Sequence, residues 1–272
     1  GEGDGLSGLI IDVYHNTAVV QAHSTGMFKE RKMVANLLVQ LSAGRITNVY
    51  DKSSAALHAH TKDEILIGEA VSTEIIEHGN RFNVDIVGGQ KTGFFLDQRE
   101  NRKLLGEFSK GKNVLNTFCY TGGFSVYALK GGATEVHSVD ASAKAMATTD
   151  ENIALNQLQN HQSFTSDVFE FMKEAKNDFY NTIILDPPAF AKHHSARHQA
   201  IQAYKRINAA AFQKVSKGGM VFTFSCSQAV NAALFEGAVT AGAIEAKRNI
   251  KIIHRVTPVS YTHLTLPTNR EV

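Results

Sequence analysis

The chain has 272 residues, room for one large domain or two small ones. Hydrophobic residues make up 43% and charged residues 20%, which excludes a disordered chain. No apolar run approaches a membrane span, and only two cysteines, Cys119 and Cys226, exclude a disulfide scaffold and point to a reduced, cytoplasmic setting. The formal net charge is only +2, but it is uneven: residues 1–110 carry 12 Lys/Arg against 14 Asp/Glu, and the remainder 16 against 12. An anionic partner is expected to dock on the downstream half.

The first half reads as a small α+β unit. Strands are expected over 9–14 and 18–22, joined at His15 and Asn16. Residues 27–41 place Met27, Val34, Leu37, Leu38 and Leu41 at helical spacing. Strands follow over 46–50, 70–77 and 81–87, with Gly79-Asn80 as the turn between the last two. Gly88-Gly89 is the expected linker, and 96–107 a helix. The second half alternates: strands at 113–118, 135–140, 164–167, 181–186, 220–225 and 250–256, and helices at 124–129, 141–158, 168–175, 200–215 and 229–243. Lys217-Gly218-Gly219 is read as the stop of the 200–215 helix. Alternation of this kind builds a parallel, doubly wound sheet, whose ligands sit at the carboxyl ends of the strands.

The strand ends carry the candidate chemistry. The first ends in Asn116, Thr117, Phe118, Cys119, Tyr120, Thr121, Gly122 and Gly123, a glycine turn into a helix that does not follow the dinucleotide spacing. The second ends in Asp140, which either accepts from ribose hydroxyls or caps the next helix; the third ends in Asp167, which either meets an adenine amino group or caps its helix. The fourth ends in Asp186-Pro187-Pro188, followed by Phe190. The two prolines stiffen a ledge where Asp186 can meet the polar edge of a nucleobase and Phe190 can stack on it. The fifth ends in Ser225-Cys226-Ser227, a thiol on the same edge as Asp186, whereas Cys119 reads as structural. His193, His194 and His198 have metal-like spacing, but no Cys or carboxylate completes a zinc set. Lys192 and Arg197 in that loop suit phosphates instead.

Residues 92–102 (Thr92-Gly93-Phe94-Phe95-Leu96-Asp97-Gln98-Arg99-Glu100-Asn101-Arg102), the 120–124 loop, Asp186-Pro187-Pro188 and Ser225-Cys226-Ser227 together resemble the ribosomal RNA large subunit methyltransferase I family of class I S-adenosylmethionine-dependent enzymes. The resemblance covers residues 1–259. It implies an α/β fold: a Rossmann-like class I methyltransferase sheet with helices on both faces, over 88–260, preceded by a small α+β domain over 1–87. It implies S-adenosylmethionine as cofactor and large-subunit ribosomal RNA as partner, with 5-methylcytosine as product. By the same resemblance, residues 116–123 cradle the methionine part, Asp140 holds the ribose and Asp167 the adenine. Gln98, Arg99 and Arg102 face the cofactor carboxylate, and Cys226 is the nucleophile. By the resemblance, Gly1–Leu6 is expected to be the joint that follows the family's N-terminal RNA-binding PUA domain, and residues 261–272 resemble nothing in the family and read as a non-native tail. No membrane partner is expected, and the sequence leaves a homodimer open. Rival readings are a methyltransferase acting on a base nitrogen, a nicotinamide-dependent oxidoreductase, and a non-catalytic RNA-binding fragment.

Overall fold

The computed structural model describes residues 4–57, 61–69, 72–191, 194–227 and 229–257. The chain divides into two compact units, one up to Glu100 and one from Asn101 to Thr257.

In the first unit, β1 (Leu9–Tyr14) and β2 (Thr17–Ala22) form an antiparallel hairpin, with Tyr14 opposite Thr17. His15 in its turn takes a left-handed φ of 54°. Helix α1 (Thr25–Leu41) starts where the Ser24 hydroxyl accepts from the Met27 amide. It leads to β3 (Asn48–Asp51), parallel to β2, and after the short α2 (Ser54–Leu57) to β4 (Glu64–Ile67). The sheet order is β1-β2-β3-β4, and Met27, Val34, Ala35 and Leu38 pack on Leu9, Ala18, Val20 and Val49. Neither α2 nor β4 is anticipated by the sequence. The second hairpin pairs β5 (Thr73–Glu77) with β6 (Asn80–Val84). Its turn is His78-Gly79, with φ of 47° and 78°, one residue earlier than expected, because Asn80 already pairs with Glu77. Of the expected 70–77 strand, residues 70–71 lie outside the described residues.

A buried polar network holds the segment after β6. The Thr92 hydroxyl donates to Asp12 at 2.6 Å, the Tyr14 hydroxyl lies 2.8 Å from it, and the Phe94 amide donates to Tyr14. Burial raises the Asp12 carboxyl above its ordinary range. The chain then passes through a 3-10 turn at Leu96–Gln98 into α3 (Arg99–Glu107).

The second unit is a five-stranded, wholly parallel sheet flanked by helices. Its elements in order are β7 (Asn113–Thr117), α4 (Gly123–Lys130), β8 (Glu135–Asp140), α5 (Ala143–Leu155), β9 (His161–Thr165) and α6 (Val168–Glu174). They continue with β10 (Tyr180–Leu185), α7 (Arg197–Lys214), β11 (Val215–Thr223) and α8 (Ala232–Glu245). The strand order is β11-β10-β7-β8-β9, with the crossover reversing direction between β7 and β10. Such a reversal opens a crevice at the strand ends. Leu115, Val139, Ile183 and Leu185 are fully buried in the core under α6 and α7.

Two expectations fail in this unit. Helix α7 stops at Lys214 and β11 starts at once at Val215, so Lys217-Gly218-Gly219 is not the helix stop. The pairing jumps from Tyr180↔Val215 to Thr182↔Met220, and the glycines form a bulge on β11. A side chain at Gly219 would stand 2.6 Å from the Asn181 carbonyl oxygen, so glycine fits here for packing rather than for capping. Residues 250–256 form no strand; Ile250, Ile252, Ile253 and Val256 are exposed. Their β-branched run has the propensity for a strand, but β11 pairs only with β10 among the described residues.

Candidate active site

The tips of β7, β8, β10 and β11 bring most of the candidate residues of the second unit to one edge. After β7 the chain runs through two non-glycine residues in the left-handed region, Phe118 at φ 53° and Tyr120 at 49°. Such residues are uncommon and concentrate at functional loops. Helix α5 holds the end of this loop: Thr149 donates to the Tyr120 carbonyl at 2.9 Å and Asn152 to the Thr121 carbonyl at 2.8 Å. Gly122 has φ 76°, and a Cβ there would meet Thr149 Cγ2 at 2.5 Å; a Cβ on Gly123 would meet Arg102 Cδ at 3.0 Å. The glycine pair therefore lets α5 and the buried Arg102 side chain close on the loop from two sides. Asn116 is fully buried, and its amide donates to Ser125 at 2.8 Å, so it braces the loop from below.

The Asp140 carboxylate lies half-buried beside this loop, accepting from the Tyr120 amide at 3.0 Å and the Ser142 amide at 2.9 Å. The cap of α5 is Ser142, so the capping alternative for Asp140 does not hold. Asp167 differs. Its Oδ1 accepts from the Phe169 and Glu170 amides and caps α6, while its side chain stays exposed. Cys119 is buried with Sγ 3.5 Å from Met146 Sδ; burial and the nearby Asp140 charge raise its thiol well above the ordinary range.

At the other side of the switch, Asp186 follows β10 and Cys226 lies three residues past β11, whose last pair is Leu185↔Thr223. The Phe224 amide donates to the Leu185 carbonyl at 2.9 Å and carries the pairing one step further. Cys226 is exposed, with Sγ 3.7 Å from the Pro187 carbonyl oxygen. Ser227, buried, ties the two loops together: its hydroxyl donates to the Ala191 carbonyl at 2.6 Å and accepts from the Ala191 amide at 3.3 Å. Pro187 is buried, Pro188 exposed, and half-buried Phe190 sets its ring edge-on to Tyr204 at 4.8 Å. Lys192 lies outside the described residues. Gln98 (buried) and Arg99 belong to the first unit, where Arg99 pairs with Glu100 at 3.3 Å. Sequence reasoning quoted Ser227 without giving it work and missed Thr149, Asn152 and Tyr204. Their roles arise from where α5 and α7 pack, which no local pattern announces.

These residues fit S-adenosylmethionine. A loop strained and stripped of side chains at Gly122-Gly123 allows close backbone approach, the Arg102 guanidinium suits a carboxylate, and Asp140 suits a ribose diol.

Comparison with known proteins agrees. The family described as S-adenosylmethionine-dependent methyltransferase matches residues 25–257. The protein named ribosomal RNA large subunit methyltransferase I of Shewanella frigidimarina is 39% identical over 271 residues, covering 95% of this chain and 67% of its own. The protein of that name from Photobacterium profundum is 39% identical over 264 residues, covering 93% and 66%. A crystal structure of a protein described as a methyltransferase, complexed with SAH, superposes with TM-score 0.77 at 27% identity, covering 89% of this chain and 63% of that one. The chain thus spans about two thirds of the length of these relatives. It belongs to the S-adenosylmethionine-dependent methyltransferases, in the family of ribosomal RNA large subunit methyltransferase I, and its cofactor is S-adenosylmethionine.

Proposed function

We propose that the protein methylates carbon 5 of a cytosine in large-subunit ribosomal RNA, with Cys226 as covalent nucleophile. The observation that carries this reading is the exposed Cys226 thiol beside Asp186-Pro187-Pro188, 3.7 Å from the Pro187 carbonyl, on the ligand edge of the sheet. The RNA substrate is the one named for the relatives.

Carbon 5 of cytosine is a weak nucleophile. Addition of the Cys226 thiolate to carbon 6 forms a C–S bond and moves the ring electrons to carbon 5, which then takes a methyl group. A base removes the carbon 5 proton, the electrons return, and the C–S bond breaks to release the thiolate. Asp186 binds the N3/N4 edge of the ring, and the Asp-Pro-Pro ledge with Phe190 supports its face. The target base leaves its stack to reach this edge. S-adenosylmethionine, when bound, supplies the electrophilic methyl group on its sulfonium. Arg102 holds its carboxylate; residues 116–123, Asp140 and Asp167 hold the methionine, ribose and adenine parts. Arg197 and His198 line a cleft of about 540 Å³ with Ile201, Asn231 and Leu234, and their side chains suit RNA phosphates.

Incubation with cofactor and 5-fluorocytosine RNA tests this. Fluorine cannot leave as a proton does, so the adduct persists on denaturing gels. Methyl transfer to ordinary RNA with no adduct from the fluorinated RNA would overturn the carbon 5 reading in favour of a base nitrogen.

A further inference from the structure

The Tyr204 hydroxyl has no part in the mechanism above, yet its ring packs on Phe190 of the Asp-Pro-Pro ledge and the charges of Cys226 and Asp186 act on it. Tyr204, on α7, is fully buried, and no group among the described residues stands in good hydrogen-bond geometry to its hydroxyl. Phe190 closes over its ring edge-on at 4.8 Å, and Phe235 does the same at 5.1 Å. The Ser225 hydroxyl and the Phe190 backbone are the polar neighbours that act on the hydroxyl, and the Cys226 and Asp186 side chains act on it through their charge. A buried donor left unsatisfied costs about 1–3 kcal/mol, and phenylalanine would fill the same space without that cost.

The loop that Tyr204 supports is otherwise tightly held. Ser227 bonds both the amide and the carbonyl of Ala191, and the Ser227 amide lies 3.4 Å from the Ser225 hydroxyl. Ser225 therefore connects the buried phenol to the cysteine loop. We propose that Tyr204 is a positioning residue for Cys226: its hydroxyl turns to the Ser225 hydroxyl when the thiol gives its proton to water, and Ser225 in turn supports the thiolate. Burial raises the phenol above its ordinary value, so it stays a donor while the thiol ionises. This inference rests on Cys226 being the nucleophile.

The test uses the whole chain and iodoacetamide, with alkylation at Cys226 followed by mass spectrometry from pH 6 to 10. In Tyr204→Phe, alkylation near neutral pH slows about threefold or more and the midpoint of the profile moves upward, as expected when the hydroxyl that supports the thiolate loses one neutral hydrogen bond. The melting temperature holds or rises, because the group removed had no partner in good geometry among the described residues. Ser225→Ala gives the same shift, and the double variant adds little to either. An unchanged profile in folded Tyr204→Phe overturns the inference, as does a full additive shift in the double variant. Methyl transfer by Cys226→Ser reports separately on the nucleophile. A shifted alkylation profile with undiminished transfer by Cys226→Ser would overturn Tyr204's catalytic relevance together with the cysteine mechanism.

Discussion

Two cysteines stand just past the ends of parallel strands in one sheet, and the surroundings make them chemically opposite. Cys119 follows β7 inside a loop clamped by α5, against Met146 and close to Asp140. Cys226 follows β11 in a loop clamped by Ser227, with its thiol toward solvent. Position at a strand tip is therefore no sufficient sign of a nucleophile. What separates the two is whether the loop's anchors cover the sulfur or leave it out.

The sharpest way to break this comparison is Cys226→Ser. Methyl transfer falls by roughly a thousandfold while cofactor binding stays, since a serine hydroxyl remains protonated with no base to activate it. Labelled methyl transfer to ribosomal RNA and calorimetric titration of the cofactor read the two separately. Gly122→Ala attacks the other loop. A methyl group forced to φ 76° and 2.5 Å from Thr149 Cγ2 costs about 2–3 kcal/mol in urea unfolding, and the cofactor affinity drops with it. Asp140→Ala leaves the fold intact but removes a charge-assisted bond to the ribose, about 1.5–3 kcal/mol or roughly ten- to a hundredfold in cofactor affinity by calorimetry. An unchanged affinity would return Asp140 to a purely local role. The smallest effect is Cys119→Ser, which keeps most activity and costs about 1–2 kcal/mol of stability for a hydroxyl in a thiol's buried place.

The same pair predicts a pH dependence. The folded Cys119 thiol holds its proton above the ordinary value of 9.0, so the unfolded state ionises first. The stability it contributes is complete below pH 9.0 and is lost as the pH rises beyond it. Denaturant unfolding at pH 8 and pH 10 should show a smaller loss in Cys119→Ala than in the unsubstituted chain.

Most of the parallel sheet was legible because each strand is a short apolar run closed by a polar tip, and the tips are where the sequence reading placed the ligands. Glu135–Asp140 matches residue for residue. The failures share a cause. The glycines at 218–219 have the composition of a helix stop, but the bulge they make depends on a register with β10 set some 35 residues away. Residues 250–256 have the composition of a strand, but a strand exists only with a partner. Asp140 and Asp167 look alike in sequence, each a carboxylate before a helix. Ser142 relieves the first of capping, and nothing relieves the second. Tyr204 and Ser227 were illegible as site residues because their significance is a contact, not a pattern.

The strand order also sets a folding sequence. β7 joins β8 with Asn113 opposite Glu135, a short closure bridged by α4, whereas the Thr117 hydroxyl reaches Ile184 on β10 across 67 residues. The longer closure costs about 1 kcal/mol more in chain entropy, so β7, β8 and β9 assemble before β10 and β11 join them. Pulse-labelled hydrogen exchange during refolding should find the β8 amides protected ahead of those of β11; the reverse order would refute this. The 118–123 loop and Asp140 would then be in place while Asp186 and Cys226 are still on unpaired chain, so the exposed thiol is the last part of this edge to be shaped.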